Sequence, residues 1–331
     1  MTTGAARMSH LRTVLVAMSS ATIITIGFGA SAQDYPARNI RVVVPWPPGG
    51  LVDIAARTVT DKAKDELKQG FIIENRAGAG GSIGAAAVAK AEPNGYTLMF
   101  TTSGLTMNAS MGKAPYDVVR DFTPILHVAN APLVLVTNKA LKVGSVSDLV
   151  ALAKAKPGEL TSATAGLGSP AHFTTELFRQ RTGISIAQVH YKGAPEAMNG
   201  LIGERIAFQF TNATVGIPQI QAGTIKALAI TSDQRSRLVP DIPTMKEAGF
   251  VDFKADQWLG FLAPANLPKA VVTTLVAALQ KALGSEEVRA TLTRSAMEPE
   301  SGSTPESFAA LLKSDMQNWT EVAKASNLTA N

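Results

Sequence analysis

The segment VVVPWPPGGLVDIAAR, from Val42 to Arg57, places a strand, a turn and the start of a helix within sixteen residues. Its apolar run is typical of a buried strand, and the sequence predicts a strand over 39–45 and a helix over 51–69. The turn between them reads Pro-Trp-Pro-Pro-Gly-Gly. Prolines hold a turn rigid, and glycines let another molecule approach the backbone closely. We therefore predict that this turn is built to hold a ligand.

Short apolar strands alternate with helices over most of the chain. This alternation indicates βαβ units and predicts an α/β fold, with parallel sheets covered by helices on both faces. Beyond the opening unit, the sequence predicts strands over 71–74, 96–101, 160–164, 187–191, 206–210 and 225–231, and helices over 82–91, 145–154, 171–181, 195–202 and 215–222. It also predicts a short helix over 244–248.

Two segments break the alternation and indicate two domains. Residues 124–138 contain two strand-like runs without a helix between them, and 258–263 resembles a strand that returns to the first domain. The sequence thus predicts a discontinuous first domain, 33–133 plus 257–331, and an inserted second domain, 134–256. A chain of this length can bury two cores. We expect hinge bending where the chain crosses, near Ala131 and Gln257.

The N-terminal segment has the layout of a secretory signal peptide. Arg7 and Arg12 form a basic start, an apolar stretch follows over 13–29, and Ala30-Ser31-Ala32 is a small-residue cleavage signal. The alternative is a membrane anchor, but the apolar stretch is interrupted by serine and threonine and is short for a span of about 20 residues. We predict a signal peptide over 1–32 and export of the remainder.

Composition excludes several classes of function. The chain has no cysteine, which rules out disulfides and thiolate metal sites, and its four histidines lack metal-site spacing. The net charge of +5 falls to +3 without the leader, because Arg7 and Arg12 are removed with it. The remaining basic residues are scattered singly, so we expect no nucleic-acid partner, and we expect no metal or cofactor.

Glycine-containing turns recur after the predicted strands, in both predicted domains. In an open α/β sheet such turns meet at the carboxyl edge, where helix N-termini offer unpaired N–H groups to a carboxylate or phosphate. One such turn could simply be tight, but five make a shared binding site the better interpretation. They are 45–50 leading to Asp53, 75–82, 101–104, 165–170 leading to His172, and 191–195.

Two enzyme-like motifs compete with this interpretation. Residues 78–84 and 166–171 resemble dinucleotide fingerprints, but the first lies away from its strand end and the second lacks the expected acidic residue. The competing enzyme hypothesis is a serine hydrolase that uses either Ser82, or Ser169 with His172 as the base. We favour a helix-capping Ser169, because serine is a preferred N-cap residue.

Several longer segments in a fixed order resemble one family. They include YPARNIRVVVPWPPGG, ENRAGAGGSIGAAAVAKAEPNGYTL, GSPAHFTTELF, VHYKGAPEAMNGLIGERIAFQF and WLGFLAPANLP. This order is similar to the Bug family, the periplasmic substrate-binding proteins of tripartite tricarboxylate transporters. The resemblance implies a two-domain Venus-flytrap fold, with two mixed sheets flanked by helices and a hinged cleft.

The resemblance also implies a function. We expect a periplasmic, non-enzymatic, monomeric protein that captures a small organic carboxylate, either a dicarboxylate or an aromatic acid such as terephthalate. We expect its partners to be the membrane permease subunits of a transporter, and the sequence leaves open a signalling receptor as the alternative partner.

By the same resemblance, two loops would grip the carboxylate and others would line the cleft. Asp53 could equally complement the charge of its helix, and Lys192 could be a solvated loop charge. Trp46 departs from the commoner family residue and could stack on a flat ring, or pack under the loop as core. The implied ligand-binding residues are Trp46, Pro48, Gly49, Gly50, Asp53, Gly80, Thr102, Ser103, Ser169, His172, Tyr191, Lys192, Gly193 and Ala194.

Overall fold

The computed structural model describes residues 35–251, 253 and 255–329. The predicted signal peptide lies outside these residues. The strands run in chain order as β1 Ile40–Val44, β2 Phe71–Asn75, β3 Thr97–Thr102, β4 Phe122–Ala131, β5 Leu133–Thr137, β6 Thr161–Thr164, β7 Ala187–His190, β8 Phe208–Asn212, β9 Lys226–Ile230, β10 Gln257–Pro264 and β11 Glu298–Pro299.

The helices follow the strands on both faces of the sheets. In chain order they are α1 Leu51–Leu67, α2 Ser82–Ala89, α3 Gly104–Ser110, α4 Val146–Ala155, α5 Pro170–Thr182, α6 Ala194–Ile202, α7 Ala213–Gln221, α8 Lys269–Gly284, α9 Glu286–Arg294 and α10 Pro305–Ala325. A short 3-10 turn over Ala79–Gly81 precedes α2.

The strands form two mixed sheets, which confirms the predicted fold class. Sheet 1 has the order β11-β4-β10-β3-β1-β2, with β1 parallel to β2 and β3, and β10 antiparallel to β3 and β4. Sheet 2 has the order β7-β6-β8-β5-β9, with β6 parallel to β7 and β8, and β5 antiparallel to β8 and β9. Predominantly apolar strands such as IRVVV and LVLVT are largely buried because helices cover both faces.

The chain crosses between the sheets at two adjacent positions. Strand β4 ends at Ala131 in sheet 1, and β5 begins at Leu133 in sheet 2, with Pro132 between them. The chain returns at Gln257, the first residue of β10. Gln257 is the register partner of Ala131, so the two crossings lie side by side. This pairing is the geometry that a two-strand hinge requires.

The last helix, α10, contacts the cores of both sheets. Phe308 and Leu312 are buried beside sheet 1, while Trp319 and Ala323 are buried in the core of sheet 2. Between them, Asp315 accepts hydrogen bonds from the indoles of Trp258, at 2.8 Å, and Trp319, at 2.7 Å. Burial raises the pKa of Asp315, and these donors oppose that rise. The second half of α10 therefore packs with sheet 2, although the predicted boundaries assign all of 257–331 to the first domain.

Candidate functional site

A cavity of about 60 Å³ lies between the two sheets, at the carboxyl ends of their parallel strands. Six of the predicted site residues line it, and the other eight lie around it. The six are Trp46, Pro48, Gly50, Thr102, Gly193 and Ala194. The volume suffices for a few water-sized groups at about 10–15 Å³ each.

Four helices begin at this cavity. The lining includes residues in the first turns of α1, α5, α6 and α7. The first N–H groups of a helix have no partner inside the helix, and its N-terminus carries a partial positive charge. No charged side chain of the described residues lines the cavity. An anion held here would therefore meet N–H groups and helix dipoles instead of an ion pair.

We call the loop of residues 46–50 the first jaw of the cavity. The buried carboxylate of Asp53 stabilises this loop through hydrogen bonds. Asp53 accepts hydrogen bonds from the Gly49 N–H at 2.9 Å, from the Arg57 Nε at 3.0 Å and from the Asn75 Nδ2 at 3.0 Å. Burial pushes the pKa of Asp53 up, but these bonds outweigh it and hold the pKa below its ordinary value. Asp53 and Gly49 thus shape the jaw without lining the cavity.

The second jaw, residues 191–194, closes against the first. A Cβ at Gly193 would lie 3.6 Å from the Pro47 Cγ, which is ordinary van der Waals contact. The exposed Lys192 donates its backbone N–H to the Glu196 Oε2 at 3.0 Å. Tyr191 packs its hydroxyl end against Gly200 of α6. Of this jaw, Gly193 and Ala194 line the cavity, whereas Tyr191 and Lys192 do not.

A second contact joins the sheets beside the cavity. Asn108 of α3 donates from its amide to the carbonyl of Gly80 at 2.6 Å and to that of Gly168 at 3.4 Å. A Cβ at Gly80 would lie 2.5 Å from the Leu167 carbonyl oxygen, so no larger residue fits there without movement. Gly80 is therefore a contact between the two glycine loops, and it lies outside the cavity lining.

Ser169 and His172 organise the start of α5 behind the lining. The Ser169 hydroxyl accepts the backbone N–H of His172 at 3.3 Å, which makes it the N-cap. The His172 Nδ1 accepts the Gly168 N–H at 3.2 Å, and its ring packs edge-on against His190. Burial, followed by His190 and Arg179, lowers the pKa of His172 to about 3, so the ring is neutral. This arrangement favours the capping interpretation of Ser169 over the nucleophile interpretation.

Trp46 both packs into the fold and reaches the cavity. A Cβ at Gly104 would lie 2.7 Å from its Cζ2, and a Cβ at Gly81 would lie 3.4 Å from the same atom. The indole also packs against the core of sheet 1. Ser103, just before Gly104, is fully buried and donates its N–H to the Trp258 carbonyl at 3.3 Å. The two glycines thus make room for the indole edge.

Comparison with known proteins identifies the class. A family described as the tripartite tricarboxylate transporter family receptor, TctC, matches residues 55–328. The chain belongs to this family. Protein BugT of Bordetella pertussis is 38% identical over 317 residues, which cover 94% of this chain and 97% of BugT. The resemblance to the Bug family is therefore confirmed, and members of that family are periplasmic binding proteins.

Solved structures of TctC-type proteins superimpose on the chain. An R. palustris protein solved with adipate is 33% identical, with a TM-score of 0.84, and the match covers 89% of this chain and 99% of that protein. MatC from Rhodopseudomonas palustris, solved with bound malate, is 29% identical, with a TM-score of 0.82 and coverage of 87% and 99%.

This TctC-family cavity also contains polar residues that the sequence analysis did not predict to bind ligand. Gln209, Thr211 and Asn212 come from β8, and Gln257 comes from the start of β10. The Gln257 side chain donates to the Asn212 Oδ1 at 2.8 Å, so it links the crossing strand to sheet 2. The turn after β8 has no glycine, so the pattern of glycine-containing turns does not include it. Polar side chains within an otherwise buried strand were the signal that could have found it.

Two further observations concern metal binding and membrane spans. Among the described residues, no three histidine or acidic side chains group as they would to hold a metal ion. Within the same part of the chain, none of the helices is long and apolar enough to cross a membrane.

Proposed function

We propose that the chain captures a small organic carboxylate between its two sheets and delivers it to the membrane permease of a tripartite tricarboxylate transporter. The observation that carries this proposal is the convergence of four helix N-termini on a cavity whose described lining has no charged side chain. Partial positive charges from several helices favour one small anion. Family membership and relatives solved with adipate and malate support a dicarboxylate as ligand, and an aromatic acid is the alternative.

The two jaws would share the carboxylate. The N–H groups of Leu51 and Val52, at the start of α1, approach from one side, and those of Gly193 and Ala194 approach from the other. Pro47 and Gly193 lie near one another across the grip, and exclusion of water there would strengthen each hydrogen bond. Opening would occur at the paired crossings, Ala131 and Gln257, because both connections bend at one place.

The cellular setting is part of the same proposal. The predicted leader, 1–32, would direct export, and the released chain would work in the periplasm as a monomer. Its partner would be the permease pair of the transporter, reached only after the ligand has closed the cleft.

The test is binding of a carboxylate panel, followed by thermal unfolding and titration calorimetry. A ligand at 100 times its Kd stabilises the folded state by about 2.7 kcal/mol, which should raise Tm by roughly 5 °C in a chain of this size. Sugars and divalent cations serve as controls. If a sugar or a cation stabilises the chain and no organic acid does, the proposal is wrong.

A variant can test the N–H grip directly. Ala194 is the first residue of α6, and the preceding Gly193 is extended, which suits a following proline. Ala194→Pro removes one N–H at the cavity and should weaken carboxylate binding at least about tenfold, as loss of a charge-assisted hydrogen bond does. Glu286→Pro is the matched control, since exposed Glu286 begins α9 after an extended Ser285 and lies away from the cavity. Equal losses in both variants would argue against the grip.

A further inference from the structure

One face of helix α3 packs against the other sheet. The helix follows β3 of sheet 1, and Gly104, Asn108 and Met111 share one of its faces at i, i+4 and i+7. A Cβ at Gly104 would lie 3.5 Å from the Pro170 Cδ at the start of α5, and Met111 is buried in the core of sheet 2. We call each sheet with its covering helices a lobe. The two lobes therefore meet along this face of α3 as well as at the paired crossings.

Asn108 lies in the middle of this face and bridges the two glycine loops. Its Nδ2 donates to the Gly80 carbonyl at 2.6 Å in the first lobe and to the Gly168 carbonyl at 3.4 Å in the second. The residue is 6% exposed, so water competes little for these bonds. Gly168 directly precedes the N-cap of α5, and the first residues of that helix, Pro170 and Ala171, line the cavity. The bridge thus reaches the cavity wall from behind.

The bonds of Asn108 differ in what they depend on. The bond to Gly80, and another to the Gly104 carbonyl at 3.2 Å, stay within the first lobe. The bond to Gly168 requires that the lobes be together, because hinge bending at the crossings would draw the two loops apart. The backbones also meet here, since a Cβ at Gly80 would lie 2.5 Å from the Leu167 carbonyl oxygen. Only the bond to Gly168 can therefore report whether the lobes are in contact.

We propose that Asn108 is a latch between the lobes, a positioning residue that holds the start of α5 against the cavity and slows the release of a bound carboxylate. The kinetic part of this inference rests on the proposed function, since it requires a carboxylate in the cavity. A ligand enters before the loops meet and leaves after they part. The latch therefore acts mainly on the dissociation rate, as most interface contacts do.

The first experiment measures association and dissociation rates by stopped-flow fluorescence on the chain without its predicted leader. The probe is whichever of adipate, malate and terephthalate binds most tightly in titration calorimetry. Asn108→Ala removes the amide, and Asn108→Asp keeps its shape but replaces the donor with an acceptor. Each variant should raise the dissociation rate about tenfold without lowering the association rate. Ser110→Ala is the control, because its hydroxyl bonds to the Met107 carbonyl inside the same helix, and both rates should stay within about twofold.

A double-mutant cycle tests whether Asn108 acts across the lobes. A Cβ at Gly168 would overlap the Asn108 Oδ1, while its other near neighbour is the flexible end of Met111. Gly168→Ala should therefore speed dissociation in the wild type and do so at least about threefold less in the Asn108→Ala background, where space has been made. The strain of alanine at φ 75° is present in both backgrounds and cancels. A residue that acts only within the first lobe would show no such coupling.

A second readout needs no ligand. The chain has no cysteine, so spin labels can be attached at Lys90→Cys and Arg205→Cys, two exposed positions in different lobes. Pulsed electron resonance then gives the distribution of distances between the lobes. Without any acid, Asn108→Ala should have a smaller short-distance component than the wild type, and saturating acid should restore less of it.

The outcomes separate the two proposals. Dissociation within about twofold of the wild type in Asn108→Ala, even with a lower Tm, overturns the latch and leaves carboxylate capture standing. Effects of Asn108→Ala and Gly168→Ala that simply multiply do the same. If no acid binds, the proposed function fails and the label distances alone decide the latch. Identical distance distributions in the wild type and Asn108→Ala then overturn it.

Discussion

The two jaws of the cavity differ in how firmly they are held. In the first, the buried Asp53 accepts from the Gly49 N–H, and Asn75 donates to both Asp53 and the Trp46 carbonyl, at 3.0 Å each. In the second, the exposed Glu196 accepts one N–H, from Lys192. Buried charged networks hold geometry more strongly than exposed pairs do. The first jaw is thus a fixed half of the grip, and the second is the half that can adapt.

Removing the two bracing carboxylates should give the largest contrast. Asp53→Ala deletes a buried acceptor of three donors and should lower the free energy of unfolding by about 2–4 kcal/mol. Glu196→Ala removes an exposed acceptor and should change it by less than about 0.5 kcal/mol. Urea unfolding of the two variants measures the difference. Comparable losses would mean that the jaws are equally braced.

The same carboxylate predicts a pH dependence. The pKa of Asp53 is lowered in the folded chain, so its stabilising contribution is complete above the unfolded value of about 3.9. That contribution is lost as pH falls through the folded pKa. The stability gap between the wild type and Asp53→Asn should therefore hold constant from pH 7 to about 5 and shrink below about pH 4. Chemical unfolding at stepped pH checks this, and a gap that widens in acid contradicts it.

A pair of glycine substitutions probes how each jaw tolerates crowding. A Cβ at Gly104 would lie 2.7 Å from the Trp46 ring, whose edge is packed, so Gly104→Ala should cost about 1–3 kcal/mol of stability. A Cβ at Gly200 meets the hydroxyl end of Tyr191, which is only half-buried and can rotate away. Gly200→Ala should then cost less than about 1 kcal/mol, because alanine also favours the helix.

Thermal unfolding ranks these two variants. Gly284→Ala, at a glycine with open space around its Cβ position, controls for the substitution itself. If Gly200→Ala destabilises the chain more than Gly104→Ala, the second jaw is the more tightly packed one, and the comparison is reversed.

Local patterns in the sequence predicted the first jaw but not the whole cavity wall. The strand, the Pro-Gly turn and the helix of 42–57 are adjacent in the chain, so composition alone indicates their arrangement. Gln209 and Thr211 are part of the cavity lining because β8 pairs with β5 and β6, and that register depends on distant segments. The sequence does not decide whether Asp53 and Lys192 contact the ligand. An acidic residue that complements a helix and a solvated lysine have the same local sequence pattern as residues that bind a ligand.

Tertiary contacts also changed two other expectations. The apolar stripe of α10, which includes Phe308, Leu312, Trp319 and Ala323, is continuous, and only packing shows that it serves two cores. A short helix was expected over 244–248, but the segment forms a turn. Thr244 pairs with Ile230, and its N–H is bonded to the Glu247 Oε2 at 2.8 Å. The division of α10 between two cores comes from long-range contacts that no local pattern contains, whereas the turn at 244–248 combines the distant pairing with Ile230 and the local bond to Glu247.

Substitution of Lys192 should have the smallest effect on ligand affinity. It tests whether the second jaw binds the ligand through side-chain charge or through backbone N–H groups. The Lys192 side chain is exposed and outside the cavity lining, so it reaches the ligand only through long-range attraction. Such attraction is screened over about 8 Å at physiological salt. Lys192→Gln should therefore weaken binding of the best carboxylate less than about threefold, and the loss should vanish as salt rises to about 1 M. Ala194→Pro removes an N–H at the cavity, and its loss should persist at that salt concentration. A salt-independent loss in Lys192→Gln would mean that this lysine contacts the ligand directly and that the second jaw grips by charge as well as by its backbone.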